Sequence, residues 1–161
     1  MVELRTVSVD VPKDANVIFG QTHFIKSAED LYEALFESSP SLKFGLAFSE
    51  ASGKRLVRSE GNDAELVAHA EKEAMKVGCG HTFIIFMREG YPVNVLNRIK
   101  NVAEVCSIFA ATANPLTVIV AEEKGARGVL GVIDGEGPLG IEDASGREWR
   151  HGLLRKIGYK K

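Results

Sequence analysis

Apolar residues recur along this chain with two spacings, and the spacings take turns. Val7, Val9 and Val11 alternate with polar neighbours, which predicts a strand over residues 2–11. Pro12-Lys13-Asp14-Ala15-Asn16 reads as a turn, and Val17-Ile18-Phe19 as a short buried strand. Leu31, Ala34 and Leu35 then fall at helical spacing, predicting a helix over 28–38 that Pro40 ends. Over 43–49 the period returns to two. Phe44, Leu46 and Phe48 share one face, while Gly45, Ala47 and Ser49 share the other, where small side chains let another element approach closely. Residues 50–55 read as a turn and 56–58 as a short strand or bend.

Leu66, Val67, Ala70, Ala74 and Val77 form the stripe of a further helix. Asn62 and Glu65 have capping-box spacing before it, and Gly78 is a natural stop after it. Thr82–Met87 is almost continuously apolar, as a strand covered on both faces would be. Pro92 opens the longest predicted helix, 92–112, with Leu96, Ile99, Val102, Ala103, Cys106, Phe109 and Ala110 inward. Leu116–Ala121 and Gly128–Ile133 read as strands, Asp134–Gly140 as a Gly-rich loop, and 145–157 as a last helix with Trp149, Leu153 and Leu154 inward. Strands and helices interleaved in this way predict an α/β fold, with α+β as the alternative: one domain over 1–161, a mixed sheet of five to seven strands and three to four helices.

Composition narrows the functional classes. A net charge of -2 with no basic cluster argues against a nucleic-acid partner. No apolar run reaches the roughly 20 residues of a membrane span, and MVELRTVSVDV is not a signal peptide. The expected setting is therefore cytoplasmic, without a membrane partner. Cys79 and Cys106 belong to no CxxC pair or His/Cys cluster, so a zinc site is not expected, and both read as reduced core thiols. Gln occurs once, at position 21, a scarcity that fits a thermophile.

The densest chemistry lies in Gly20-Gln21-Thr22-His23-Phe24-Ile25-Lys26-Ser27, where a strand hands over to a helix. Ser27 reads as an N-cap ahead of the acidic residues Glu29 and Asp30, and a helix start with free N–H groups suits a phosphate. His23 brings an imidazole, the side chain best suited to proton and phosphoryl chemistry, and is the first catalytic candidate; Gln21, Thr22 and Lys26 surround it. His81, after Gly78-Cys79-Gly80, is the second, although it stands at the entering end of its own strand. His69 shares a stripe with Glu65, Lys72, Glu73 and Lys76 and reads as solvated surface; His151 reads likewise.

Asn94, Asn97 and Asn101 fall on one polar stripe of the long predicted helix, where amides could read a nucleobase or ribose. Asn114, before Pro115, could face the same pocket, or simply end the helix. Lys54, Arg55 and Arg58 offer cations that suit an anion, although charges in a turn are usually solvated. Asp134 could hold a metal or act as a base. The G-x-G-x-x-G at Gly135, Gly137 and Gly140 opens no βαβ unit, and no G-x-x-x-x-G-K-[ST] loop exists.

Together GQTHFIKSAEDLYEAL, KFGLAFSEASGKRLVRSEGND, GHTFII, PVNVLNRIKNVAEVCSIFAATANPL and GVLGVIDG resemble the adenosine-specific kinases, a family of small archaeal and bacterial proteins. The resemblance runs from about residue 5 to 140. It implies an α/β subunit that forms a homotrimer, binds adenosine or AMP and carries a stable phosphohistidine. His23 and His81 both lie in the matching motifs, and the resemblance leaves open which is phosphorylated. The reading favours an enzyme: a phosphotransferase acting on adenosine, with ATP or another phosphoryl donor and Mg²⁺ as cofactors. Lys26, Arg55 and Arg58 would stabilise charge, Gln21, Thr22, Asn94, Asn97, Asn101 and Asn114 would contact the ligand, and Asp134 would hold Mg²⁺ or accept a proton. The alternative is a non-catalytic module that binds or senses adenosine or AMP.

Overall fold

The computed structural model describes residues 1–161. Its elements are β1 (Glu3–Val9), β2 (Asn16–Thr22), α1 (Ser27–Ser38), β3 (Lys43–Ser49), β4 (Val57–Gly61), α2 (Ala64–Val77), β5 (Thr82–Arg88), α3 (Pro92–Lys100), β6 (Val105–Thr112), β7 (Leu116–Glu123), β8 (Ala126–Asp134) and α4 (Ala144–Lys156). The interleaved α/β organisation is borne out. The strands form two sheets, one of five in the order β4-β3-β5-β2-β6 and one of three in the order β1-β7-β8. Every pairing is antiparallel, so the single mixed sheet expected from the sequence is instead two antiparallel sheets. No helix is long and apolar enough to cross a membrane.

The five-stranded sheet is the middle layer. On one face Ile18, Phe44, Leu46, Phe83, Ile85 and Met87 pack against Leu31 and Leu35 of α1 and Val95 and Ile99 of α3. On the other, Val17, Phe19, Ala47, Ile84 and Phe86 meet Leu66, Ala70, Ala74 and Val77 of α2 and Val118 and Val120 of the smaller sheet. Burial on both faces explains why β5 is apolar from Phe83 to Met87. The small face of β3 does admit a close neighbour: a Cβ on Gly45 would lie 2.2 Å from backbone atoms of Leu66 and Val67 in α2.

Three local expectations change. The predicted helix 92–112 is a nine-residue helix, a turn and an eight-residue strand. Apolar runs such as Val105–Ala111 fit either period over a short stretch, and pairing with β2 decides for the strand; this is why the strands number eight rather than five to seven. Asp63, not Asn62, caps α2, accepting from the Leu66 N–H at 3.1 Å. Asn62 instead fixes β3, accepting from the Phe44 N–H and donating to the Leu42 carbonyl. Finally, α4 buries none of its residues, and Trp149 and Leu153 are exposed rather than inward.

Candidate functional site

Because neighbouring strands are antiparallel, the entering end of β5 is also the leaving end of β2 and β3. Gln21 pairs with Thr82, the Thr22 N–H donates to the His81 carbonyl at 2.9 Å, and the His81 N–H donates to the Ser49 carbonyl at 2.7 Å. Both candidate histidines therefore stand at one end of the main sheet, and the objection to His81 as an entering-end residue does not hold.

A cavity of about 710 Å³ opens at this end, within the size range of small-molecule sites. Gln21, Ser49, Glu50, Arg55, His81 and Arg127 are among its lining, with Lys54 and Lys124 adding charge. His81 adopts φ +62°, a left-handed conformation uncommon outside glycine. Its ring lies stacked 5.8 Å from that of Phe48. The buried Ser49 hydroxyl has no hydrogen-bond partner. Such a group is costly to desolvate unless something binds it. The one carboxylate, Glu50, is already engaged. The Leu56 backbone N–H and then the Arg58 guanidinium hold its carboxyl below the usual glutamate range. Arg58 Nη2 lies 2.8 Å from Glu50 Oε1. Arg127 pairs with Glu122 at 2.9 Å and donates to the Val77 carbonyl at the end of α2. The wall thus carries cations in excess of carboxylates, which suits a phosphoryl group.

His23, by contrast, is exposed, with its ring 6.3 Å from that of Phe24, and its backbone N–H donates to the Glu104 carbonyl. Thr22 is buried and shares a hydrogen bond with Ser27, so its hydroxyl serves the junction. Ser27 is not a free N-cap: it is the first residue of α1, and its hydroxyl donates to the Phe24 carbonyl. The N–H groups of Ser27, Ala28, Glu29 and Asp30 are spent on the carbonyls of Phe24, Ile25 and Lys26. The expected phosphate seat at this helix start is therefore closed. Lys26 pairs with Asp30 and Glu104 and, with Arg58, borders a neighbouring cleft rather than the His81 cavity.

The asparagines do not form one ladder. The Asn94 side chain accepts from the Tyr91 N–H at the start of α3, and Asn101 closes that helix. Only Asn97 lines the second large cavity, about 800 Å³, with Tyr91, Leu96, Lys100, Ala113 and Tyr159. That cavity includes Asn16, at the opposite end of β2 from Gln21. Asn114 and Thr112 both donate to Asp134 Oδ1, at 3.1 and 2.8 Å, locking the loop after β8. Asp134 therefore lies away from the His81 cavity, in a structural clasp.

Sequence reasoning passed over Ser49, Lys124 and Arg127 as site residues. Lys124 and Gly125 have positive φ and form the turn joining β7 to β8; a Lys-Gly pair between two apolar runs signals that hairpin, but not that it folds over the end of the other sheet. The thiols also divide: Cys79 is buried, and burial pushes its pKa up to about 11, whereas Cys106 is exposed rather than a core residue.

Comparison with known proteins agrees with the motifs. The family model described as adenosine specific kinase matches residues 7–160. A search of curated proteins finds no match. Among solved structures, the crystal structure of PH1918 protein from Pyrococcus horikoshii OT3 is 44% identical, covers 100% of this chain and 99% of that one, and has a TM-score of 0.95. With motifs, fold and family match in accord over nearly its whole length, the chain belongs to the adenosine-specific kinase family.

Proposed function

We propose that this protein is an adenosine phosphotransferase that carries the phosphoryl group on His81. The supporting observation is the placement of His81, in a left-handed backbone conformation, on the wall of a cation-rich cavity beside an unpartnered buried hydroxyl. Non-glycine residues in that conformation tend to be kept where function uses them.

In the first step an imidazole nitrogen attacks the terminal phosphorus of a nucleoside triphosphate. An N–P bond forms, the bridging P–O bond breaks and the nucleoside diphosphate leaves; the second ring nitrogen releases its proton. In the second step a ribose hydroxyl of adenosine attacks the phosphorus, the N–P bond breaks, and the hydroxyl proton returns to the imidazole. Two displacements replace one, as in other covalent mechanisms. Phosphoryl transfer needs chiefly positioning and charge stabilisation, which Lys54, Arg55 and Lys124 supply from the cavity wall. Gln21 offers an amide donor and acceptor to the nucleoside, and Leu56, Val57 and Met75 an apolar wall. Mg²⁺ would accompany the triphosphate. His23 and Lys26 stand at the same end of the sheet but outside the cavity.

The homotrimer expected of the family is part of the same reading. Its support is the segment after β8: α4 buries none of its own residues, and Leu139, Ile141, Trp149 and Ile157 are exposed, as they would be if a second copy of the chain covered them. Light scattering on the purified protein tests this, with a mass of three chains expected and a monomer contradicting it.

The reaction is tested by incubating the protein with adenosine and ATP-Mg²⁺ and following AMP. Formation of AMP by wild type and its loss in His81→Ala supports the transferase. Tight adenosine binding with no AMP formed would replace it with a binding module.

A further inference from the structure

We infer that Asp10, His69 and Glu73 form a site for a divalent first-row transition ion, separate from the His81 cavity and independent of the kinase reading. His69 and Glu73 are one turn apart on α2, and Asp10 follows β1, so two elements converge on one point. One ligand atom from each residue lies within 4.8 Å of the others. Around a common ion bound at about 2.1 Å, such atoms stand at most about 4.2 Å apart, so a small shift of the side chains closes the set.

The independent sign of a ligand is Glu73. Its side chain is 0% exposed, and its Oε1 has no partner. Its Oε2 accepts from the Asp10 N–H at 3.0 Å and lies 2.6 Å from Lys76 Nζ. Both partners therefore serve one oxygen, and the second is buried with no hydrogen bond of its own. Lys76 is 40% exposed and free to swing outward. The His69 ring is held edge-on to Phe86, with centroids 4.6 Å apart, and its Nε2 lies 2.6 Å from the Asp10 carbonyl oxygen. His69 is thus half-buried and Glu73 fully buried, contrary to the solvated stripe expected from their spacing. An imidazole with two carboxylates suits zinc and its neighbours better than Mg²⁺ or Ca²⁺, which take oxygen ligands. The absence of cysteine motifs argues only against thiolate zinc. Bound there, the ion would pin β1 of the small sheet to α2 of the main one.

The test uses full-length protein stripped with EDTA, gel-filtered and titrated with Zn²⁺. Bound metal is measured by emission spectroscopy after a second filtration, and melting temperature is read in parallel. Wild type should retain one Zn²⁺ per chain and melt higher with it, because an ion that binds only the folded state stabilises it. His69→Ala and Glu73→Gln should bind at least tenfold more weakly and show no zinc-dependent rise, while His151→Ala behaves as wild type. Should Glu73→Gln fail to fold, Asp10→Asn at the exposed position takes its place. No zinc retained by wild type, or wild-type affinity in either His69→Ala or Asp10→Asn, overturns the site.

Discussion

At the scale of single residues, His81 combines a reactive side chain with an uncommon backbone. Its φ of +62° is one that glycine adopts without penalty. Replacing it by glycine should leave stability within about 1 kcal/mol of wild type, because lost ring contacts are offset by relieved backbone strain. The same change should abolish phosphoryl uptake. A denaturant melt beside a phosphorylation assay checks both, and a variant that keeps the phosphoryl group contradicts the assignment. The two cysteines make a second residue-scale prediction. Cys106 is exposed, whereas Cys79 is buried with its pKa pushed up to about 11. A thiol reagent at neutral pH should label Cys106 alone in the folded protein and both thiols in denaturant. Equal labelling of the two in the native state would show that the wall beneath His81 opens readily. Candidate residues were legible as chemistry but not as partners. Gln21, Arg55 and His81 are brought together, while Thr22 and Ser27 spend their hydroxyls on each other.

At the scale of elements, the tightest fit is α2 on β3. The missing side chain at Gly45 is what lets the helix backbone approach, so Gly45→Ala forces the layers apart. Overpacking of this kind costs about 1–3 kcal/mol, and the rigid backbone on the other side puts Gly45→Ala at the upper end. A urea titration should show the midpoint fall; an unchanged midpoint would mean that α2 shifts freely. The alternation in β3, the stripe of α2 and the continuous apolar run of β5 could all be read from sequence, because each element buries a face that its own period marks. The stretch 92–112 could not. Val95 and Ile99 continue into Val105–Ala111 at spacings that suit a helix, and only the open edge of β2 makes a strand the better partner. The last helix differs for another reason: it buries none of its residues against the rest of its own chain.

At the scale of the molecule, antiparallel order explains why the site was hard to place. Chain segments distant in sequence meet at one end of the main sheet, and the Lys124-Gly125 turn of the other sheet closes over them. No local motif encodes that convergence. Charge pairing gives a whole-molecule prediction as well. Asp30 is lowered first by its bond to Lys26, Glu50 by the Leu56 N–H, Glu65 by Arg88, Glu142 by Arg150 and Asp143 by the Gly146 N–H. Each carboxyl binds its proton less readily when folded than when unfolded. Their stabilisation is therefore complete above the unfolded carboxylate range, about pH 4–4.5, and is lost as pH falls through the lower folded values. Melting temperature should be flat from pH 7 to about 5 and decline below; a rise on acidification would contradict these pairings.

The most direct test of the account is the intact mass of wild type, His81→Ala and His23→Ala after incubation with ATP and Mg²⁺, recorded at mildly alkaline pH and again after brief acid treatment. The account predicts one added phosphoryl group on wild type and on His23→Ala, removed by acid as an N–P bond would be, and none on His81→Ala. An acid-labile phosphoryl group that persists in His81→Ala, or that disappears only in His23→Ala, would contradict it.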